Sequence, residues 1–162
     1  MARPGFVIRQ YREGDLKALL HLVERLTVGI APWRSEAGMQ AAARTWVATS
    51  ISKIGPDGAV FVAARADEVM GFASVAREVA FTGEMQAYIG ELAVAAEAEG
   101  QGAGQALLAA VEAWAREQEL TLLVLDTGTA NTRGRRFYER SGFQEESVRL
   151  TKVLACNAHE SC

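Results

Sequence analysis

Residues 91–105 read Glu-Leu-Ala-Val-Ala-Ala-Glu-Ala-Glu-Gly-Gln-Gly-Ala-Gly-Gln, and a helical apolar pattern follows at once. Gly100, Gly102 and Gly104 stand at alternate positions between an apolar strand and that helix. Without Cβ atoms they let a ligand approach the main chain, and the first N–H groups of a helix have no internal partner. The helix dipole adds partial positive charge there, so a phosphate or pyrophosphate is the natural guest. A flexible strand-to-helix turn is the plain alternative. Two familiar phosphate loops do not fit. A Gly-x-Gly-x-x-Gly/Ala count from Gly100 puts Gln105 in the sixth place, and a count from Gly102 puts Leu107 there. No Gly-Lys-Ser/Thr is present.

A second block runs Asn131-Thr-Arg-Gly-Arg-Arg-Phe-Tyr-Glu-Arg-Ser-Gly-Phe143. Asn131 is a good helix N-cap. Tyr138 is either a phenolic proton donor or a core aromatic beside Phe137 and Phe143. Arg133, Arg135, Arg136 and Arg140 make the segment basic, whether to meet an anionic phosphate or as an ordinary solvated face.

The elements that position these groups follow from periodicity. Residues 6–11 read as a strand, and Asp15 can cap a helix over 15–27. Ser35 can cap a second helix with Met39, Ala43, Trp46, Val47 and Ile51 on one face. Gly55-Pro56-Asp57-Gly58 is a turn, after which 59–65 and 69–76 pair as a hairpin. Residues 78–84 are a loop and 87–94 the next strand. A third helix covers 102–118 with Leu107, Leu108, Val111, Trp114 and Ala115 on one stripe. Leu120–Leu125 is apolar enough for a strand buried on both faces. A short helix spans 132–141 and stops at Gly142, and two last strands hold Phe143 and Arg149–Leu154.

A chain of 162 residues with 49% hydrophobic and 23% charged residues suits one core. Cys156 and Cys162, with His21 and His159, make neither a disulfide framework nor a metal centre. The opening residues lack an apolar leader and no apolar run is long enough for a bilayer, so the expectation is a cytoplasmic protein without membrane contact. A net charge of −3 argues against a nucleic-acid partner.

The two blocks together resemble the cofactor site of the GCN5-related N-acetyltransferase (GNAT) superfamily. That family uses Arg/Gln-x-x-Gly-x-Gly/Ala after a strand ending in Val. Here Glu99-Gly100-Gln101-Gly102-Ala103-Gly104 follows Val94, with Glu99 standing where the family favours Arg or Gln. The second motif is matched by Asn131, Gly134, Phe137-Tyr138 and Gly142-Phe143. The resemblance is dense over 85–143 and compatible with 5–154. It implies an α/β domain over residues 1–154, with a tail at 155–162. Its sheet would be mixed, mainly antiparallel, of six or seven strands flanked by helices. It implies acetyl-CoA as cosubstrate, held by Glu99, Gly100, Gln101, Gly102, Ala103, Gly104 and Gln105, with Asn131, Arg133 and Tyr138 beside the pantetheine or phosphates. The strand would splay from its neighbour just after Val94, so that backbone groups of Leu92, Ala93 and Val94 pair with the pantetheine arm.

In that setting Tyr138 would stand near the thioester sulfur as general acid. A thiolate whose conjugate acid has a pKa of about 8.5 needs a proton or hydrogen bond on leaving, and a phenol of pKa about 10 can give one. The acceptor amine must lose a proton first. Glu91, acidic in an otherwise apolar strand, is the candidate base; a Glu on the outer face paired with a surface Arg is the alternative. With no cysteine in either motif, direct attack in a ternary complex is expected. Five glutamates and no Lys or Arg between Glu78 and Glu99 suit a cationic acceptor or an ordinary acidic edge. Ile30, Pro32, Trp33 and Arg34 belong to a loop that lines the acceptor pocket in this family, although Trp33 is equally a core or interface residue. The acceptor is a primary amine of a small molecule or peptide; a homodimer is compatible with the sequence. The rivals are a noncatalytic acyl-CoA-binding or regulatory domain of the same fold, and a nucleotide-binding oxidoreductase.

Overall fold

The computed structural model describes residues 5–154. Strand β1 (Val7–Gln10) leads through a 3-10 turn at Glu13–Asp15 into α1 (Leu16–Leu22), a second 3-10 turn at Val23–Thr27 and then α2 (Glu36–Ser52). Strands β2 (Gly58–Arg65), β3 (Glu68–Val79) and β4 (Met85–Val94) follow. A turn at Ala96–Ala98 precedes α3 (Ala103–Glu117), and β5 (Leu123–Leu125) and α4 (Thr132–Arg140) complete the fold. The five strands lie in sequence order, with β1 to β4 antiparallel and β5 parallel to β4.

Strand alternation divides the interior in two. Val60, Val62 and Phe72 point to one face of the sheet, where Leu19, Leu22 and Val23 and the Ala43 and Val47 stripe of α2 cover them. Ala63, Ala73, Val75, Ala87 and Ile89 point to the other, under Leu107, Leu108, Val111, Trp114 and Ala115 of α3. Each large side chain so buried contributes about 1.5–3 kcal/mol. The small residues of the second face let α3 lie close to the strands, and α3 sets the direction of the loop that precedes it.

Local chemistry accounts for the element ends. Ser35 Oγ accepts the Gly38 N–H at 3.0 Å and starts α2. Asp15 does not cap α1: its carboxylate takes the Arg12 N–H at 2.7 Å and two Arg9 guanidinium bonds at 2.7 and 2.8 Å. The helix expected over 15–27 is therefore α-helical only over Leu16–Leu22, with 3-10 turns on both sides. Trp46 leaves the stripe expected of α2 and is exposed.

The sheet has five strands among the described residues, against the six or seven expected. Residues 143–154 form no ladder, and Val148, Leu150, Val153 and Leu154 are exposed. Charged Glu145, Glu146, Arg149 and Lys152 interrupt these apolar residues, and β5 offers an edge of only three residues. Too little apolar surface can be buried to support two more strands. The edge position also leaves Leu123, Val124 and Leu125 half-buried rather than enclosed on both faces. The tail expected at 155–162, with both cysteines and His159, lies outside the described residues. No described helix is long and apolar enough to cross a membrane.

Candidate functional site

The glycine loop divides its work. Gly100 and Gly102 have φ of +68° and +92°, and a Cβ on either would meet nothing within 4 Å. These two turn the main chain through the left-handed region with open space beside it. Gly104 differs: the Phe137 ring of α4 lies 3.5 Å from where its Cβ would be, so that side is packed and not open to a ligand. Gly102 is the N-cap of α3 and provides no side-chain cap. The first bond into the helix runs from Ala106 N–H to Gly102 C=O at 3.0 Å. The N–H groups of Ala103, Gly104 and Gln105 precede it and have no helical acceptor, so this end carries unpaired donors and the positive end of the helix dipole.

Glu99 is not a bare carboxylate beside that site. One of its oxygens pairs with Arg25, from the turn after α1, and the other with Arg133, from the first turn of α4. Gln101 turns its side chain aside, accepting from Arg65 at 2.7 Å, and its N–H is spent on Ala98 C=O at 3.4 Å. Of the other basic residues of α4, Arg135 pairs with Glu145.

Strand β4 runs past its parallel partner. The β4–β5 ladder stops at Ile89 and Leu125, so the segment through Leu92, Ala93 and Val94 continues without β5. The separation expected just after Val94 thus begins five residues earlier. The ladder stops where the three-residue β5 ends, and on the other side of β4 a bulge follows at once: Ala73 faces Leu92 and Val75 faces Ile89, so Gly90 and Glu91 together oppose Ser74. The extra residue shifts the alternation of β4 and turns Glu91 inward to the α2 face, where Ser50 meets it. Glu91 is 3% exposed, which rules out the outer-face alternative. Its Oε2 accepts from Ser50 at 2.8 Å and from Ser74, and Ser74 Oγ also accepts the Glu91 N–H at 2.9 Å. Burial pushes the Glu91 carboxyl above its ordinary value, while the Ser74 and Ser50 hydroxyls and Lys53 draw it partly back.

Asn131 caps α4 by accepting the Gly134 N–H at 3.0 Å and donates to Thr127 Oγ1 at 3.2 Å. Tyr138 stands edge-on between Phe137 and Phe143, with ring centroids 5.3 and 5.6 Å away. Burial raises its phenol above the ordinary value, so it stays protonated across the neutral range. The loop before α2 reaches this region backbone first. Gly29, at φ +80°, packs so closely that a Cβ would lie 2.6 Å from Asn131 Cα. Trp33 in the same loop is 52% exposed, so it is not a core residue.

The structure joins Glu99 to Arg133 by an ion pair and sets the Phe137 ring and Val94 beside Gly104. Glu91 sits on the α2 side, and no hydrogen bond among the described residues joins it to Tyr138. Five residues around these groups escaped the sequence: Arg25, Ser50, Ser74, and Tyr88 with Asp126, to which the Tyr88 phenol donates at 2.9 Å. Burial, and then Asp126, raise the Tyr88 phenol. Only Tyr88 carried a signal, since it shares a strand with Glu91.

Comparison with known proteins follows the same lines. The model of the acetyltransferase (GNAT) family matches residues 21–143. No curated protein sequence matches. Among solved structures, the PaiA N-acetyltransferase from Thermoplasma acidophilum in complex with coenzyme A is 19% identical, with a TM-score of 0.72 over 90% of this chain and 94% of that one. A glucosamine-6-phosphate N-acetyltransferase from Arabidopsis thaliana is 17% identical, with a TM-score of 0.67 over 94% and 100%. A transcriptional regulator from Bacillus halodurans C-125 is 23% identical, with a TM-score of 0.67 over 92% and 99%. At these identities the likeness establishes the fold.

Proposed function

The chain belongs to the acetyltransferase (GNAT) family, and from that premise we propose that it moves an acetyl group from acetyl-CoA to a primary amine of a small molecule or peptide, by direct attack in a ternary complex. Residues 1–154 would be one transferase domain and 155–162 a tail. Family membership removes the oxidoreductase rival. The observation that carries the proposal is the uncapped start of α3 at Gly102, set beside a β4 edge that has parted from β5 at Ile89. The donor set fits the cosubstrate: a row of free N–H groups for its diphosphate, and an extended edge for its amide-bearing arm.

Bound acetyl-CoA would supply an activated acyl carbon and a thiol leaving group. The N–H groups of Ala103, Gly104 and Gln105 hold the diphosphate, with Arg133 near it, while Glu99, Gly100 and Gln101 contribute their backbone path more than their side chains. The backbone of Leu92, Ala93 and Val94 lines the arm. Asn131 fixes the start of α4 and, through it, Tyr138. Glu91, lifted by burial toward a useful range, takes the amine proton, and a water carries that proton because the carboxyl is enclosed. Tyr138 donates to the departing sulfur.

The acidic stretch from 78 to 99 is less available to a cationic acceptor than its composition implies. Glu91 is buried and Glu99 is paired, which leaves Glu78, Glu84 and Glu97 to attract it. Calorimetric titration with acetyl-CoA, followed by thiol release with a chromogenic disulfide across a panel of amines, tests the proposal. Saturable binding with turnover on at least one amine supports it. Binding without turnover on any amine transfers the protein to the noncatalytic acyl-CoA binders, and no binding at millimolar ligand refutes both.

A further inference from the structure

Glu99 holds two guanidinium groups beside the glycine loop that leads into α3, at the position where the resembled motif favours Arg or Gln. Arg25 takes one carboxylate oxygen and Arg133 the other. Arg25 also donates from Nε to Val94 C=O at 3.2 Å, on the stretch of β4 that has lost β5 as a partner. One carboxylate therefore ties together the turn after α1, the glycine loop and the first turn of α4. The side chains of Arg25 and Glu99 are partly covered, whereas that of Arg133 is open to solvent.

We propose that Glu99 is an internal stand-in for phosphate: in the free protein it occupies the two arginines that the diphosphate takes in the complex, and cofactor entry opens this latch. The inference rests on the acetyl-CoA proposal and adds Arg25 as a cofactor-binding residue. Phosphate oxygens compete for guanidinium groups because two oxygens of a tetrahedral phosphate can accept a bidentate pair of N–H bonds, as the two oxygens of a carboxylate do. The uncapped N-terminus of α3 favours the incoming anion over the resident one, since its N–H groups add to the arginines. When Arg25 moves to phosphate it leaves Val94 C=O, and that acceptor becomes free for an amide N–H of the pantetheine arm. The charge exchange at the loop thus uncovers the backbone that holds the arm. Glu99 weakens cofactor binding by the cost of breaking its own pairs, and product release gains accordingly.

The test is calorimetric titration of the full chain with acetyl-CoA at low and moderate salt, using wild type, Glu99→Gln, Arg133→Ala and the double variant. Glu99→Gln is expected to bind about 3- to 30-fold more tightly, the range two partly exposed ion pairs can account for, and the gain shrinks as salt screens the site. Arg133→Ala, a change at an exposed helix position that leaves the core intact, is expected to cost at least threefold more affinity in the Glu99→Gln background than alone. In the wild type that arginine must first be taken from Glu99, which hides part of its contribution. Inorganic pyrophosphate, as a competitor lacking the pantetheine arm, should gain by the same factor in Glu99→Gln. Equal or weaker acetyl-CoA binding by Glu99→Gln, or equal Arg133→Ala costs in the two backgrounds, overturns the latch while leaving acetyl transfer standing. Absence of binding to both wild type and Glu99→Gln overturns both proposals together.

Discussion

Replacing Glu91 with Gln removes the proposed base while preserving its shape. The carboxylate is 3% exposed, and both hydroxyl donors, Ser50 at 2.8 Å and Ser74, converge on Oε2. A Gln carbonyl oxygen can take that place and accept both, at the strength of neutral rather than charge-assisted bonds. The loss of charge assistance is offset by no longer holding an ion out of water, so the net change in stability at neutral pH stays within about 1 kcal/mol. Activity behaves differently. A positioned base contributes on the order of 10²–10⁴-fold, so kcat should fall by about that factor at pH 7–8 while acetyl-CoA affinity holds. The raised carboxyl gives the wild type an acidic limb in its kcat profile, which the Gln variant lacks. Stability supplies an independent check. A carboxyl whose folded value exceeds its ordinary 4.5 costs nothing below that pH, where both states are protonated, and stability declines as pH rises through the folded value. Urea unfolding across pH should show that decline in the wild type and not in Glu91→Gln. A variant with kcat within threefold of wild type and the same acidic limb would remove Glu91 from the mechanism, whatever its stability.

Three further outcomes are expected. Tyr138→Phe should lower kcat at least about tenfold in the thiol-release assay, with little change in acetyl-CoA affinity, because its hydroxyl has no structural partner among the described residues and its ring contacts survive; an unchanged kcat eliminates it as the acid. Gly102→Ala meets no steric obstacle but must hold φ near +92°, so chemical denaturation should show a loss of about 1–2 kcal/mol together with weaker acetyl-CoA binding. Asp15→Asn breaks the charge of the Arg9 pair and should cost about 1.5–3 kcal/mol at neutral pH. The Arg9 bond, opposed by burial, holds the Asp15 carboxyl below its ordinary 3.8. Wild-type stability from this pair is thus present above that pH and lost as pH falls through the folded value, a loss the Asn variant should not show.

Legibility depended on range. The glycine loop, the Ser35 and Asn131 caps and the apolar stripe of α3 could be read because each is decided by residues within a few positions. The Glu99 pairs could not: Arg25 lies 74 residues before Glu99 and Arg133 lies 34 after it, and neither spacing has a local signature. The bulge at Gly90–Glu91 was hidden for a related reason. Simple alternation along 87–94 predicts which face each residue takes only while the ladder stays in register, and the extra β4 residue opposite Ser74 breaks it. The strands expected at Phe143 and at Arg149–Leu154 do not form, because apolar residues of suitable type lack a partner edge long enough to support them.

The backbone-to-backbone seat of Gly29 on Asn131 has a consequence for how this scaffold can diversify. The seat leaves no volume for any side chain, and a Cβ on Gly128 would lie 2.9 Å from the Gly29 carbonyl oxygen. It works as a pivot pin between the strap ahead of α2 and the root of α4. Drift at 30–34 can therefore reshape what the strap greets without loosening the α4 root beneath it. A directed-evolution library aimed at new amines should randomise 30–34 and spare 29 and 128.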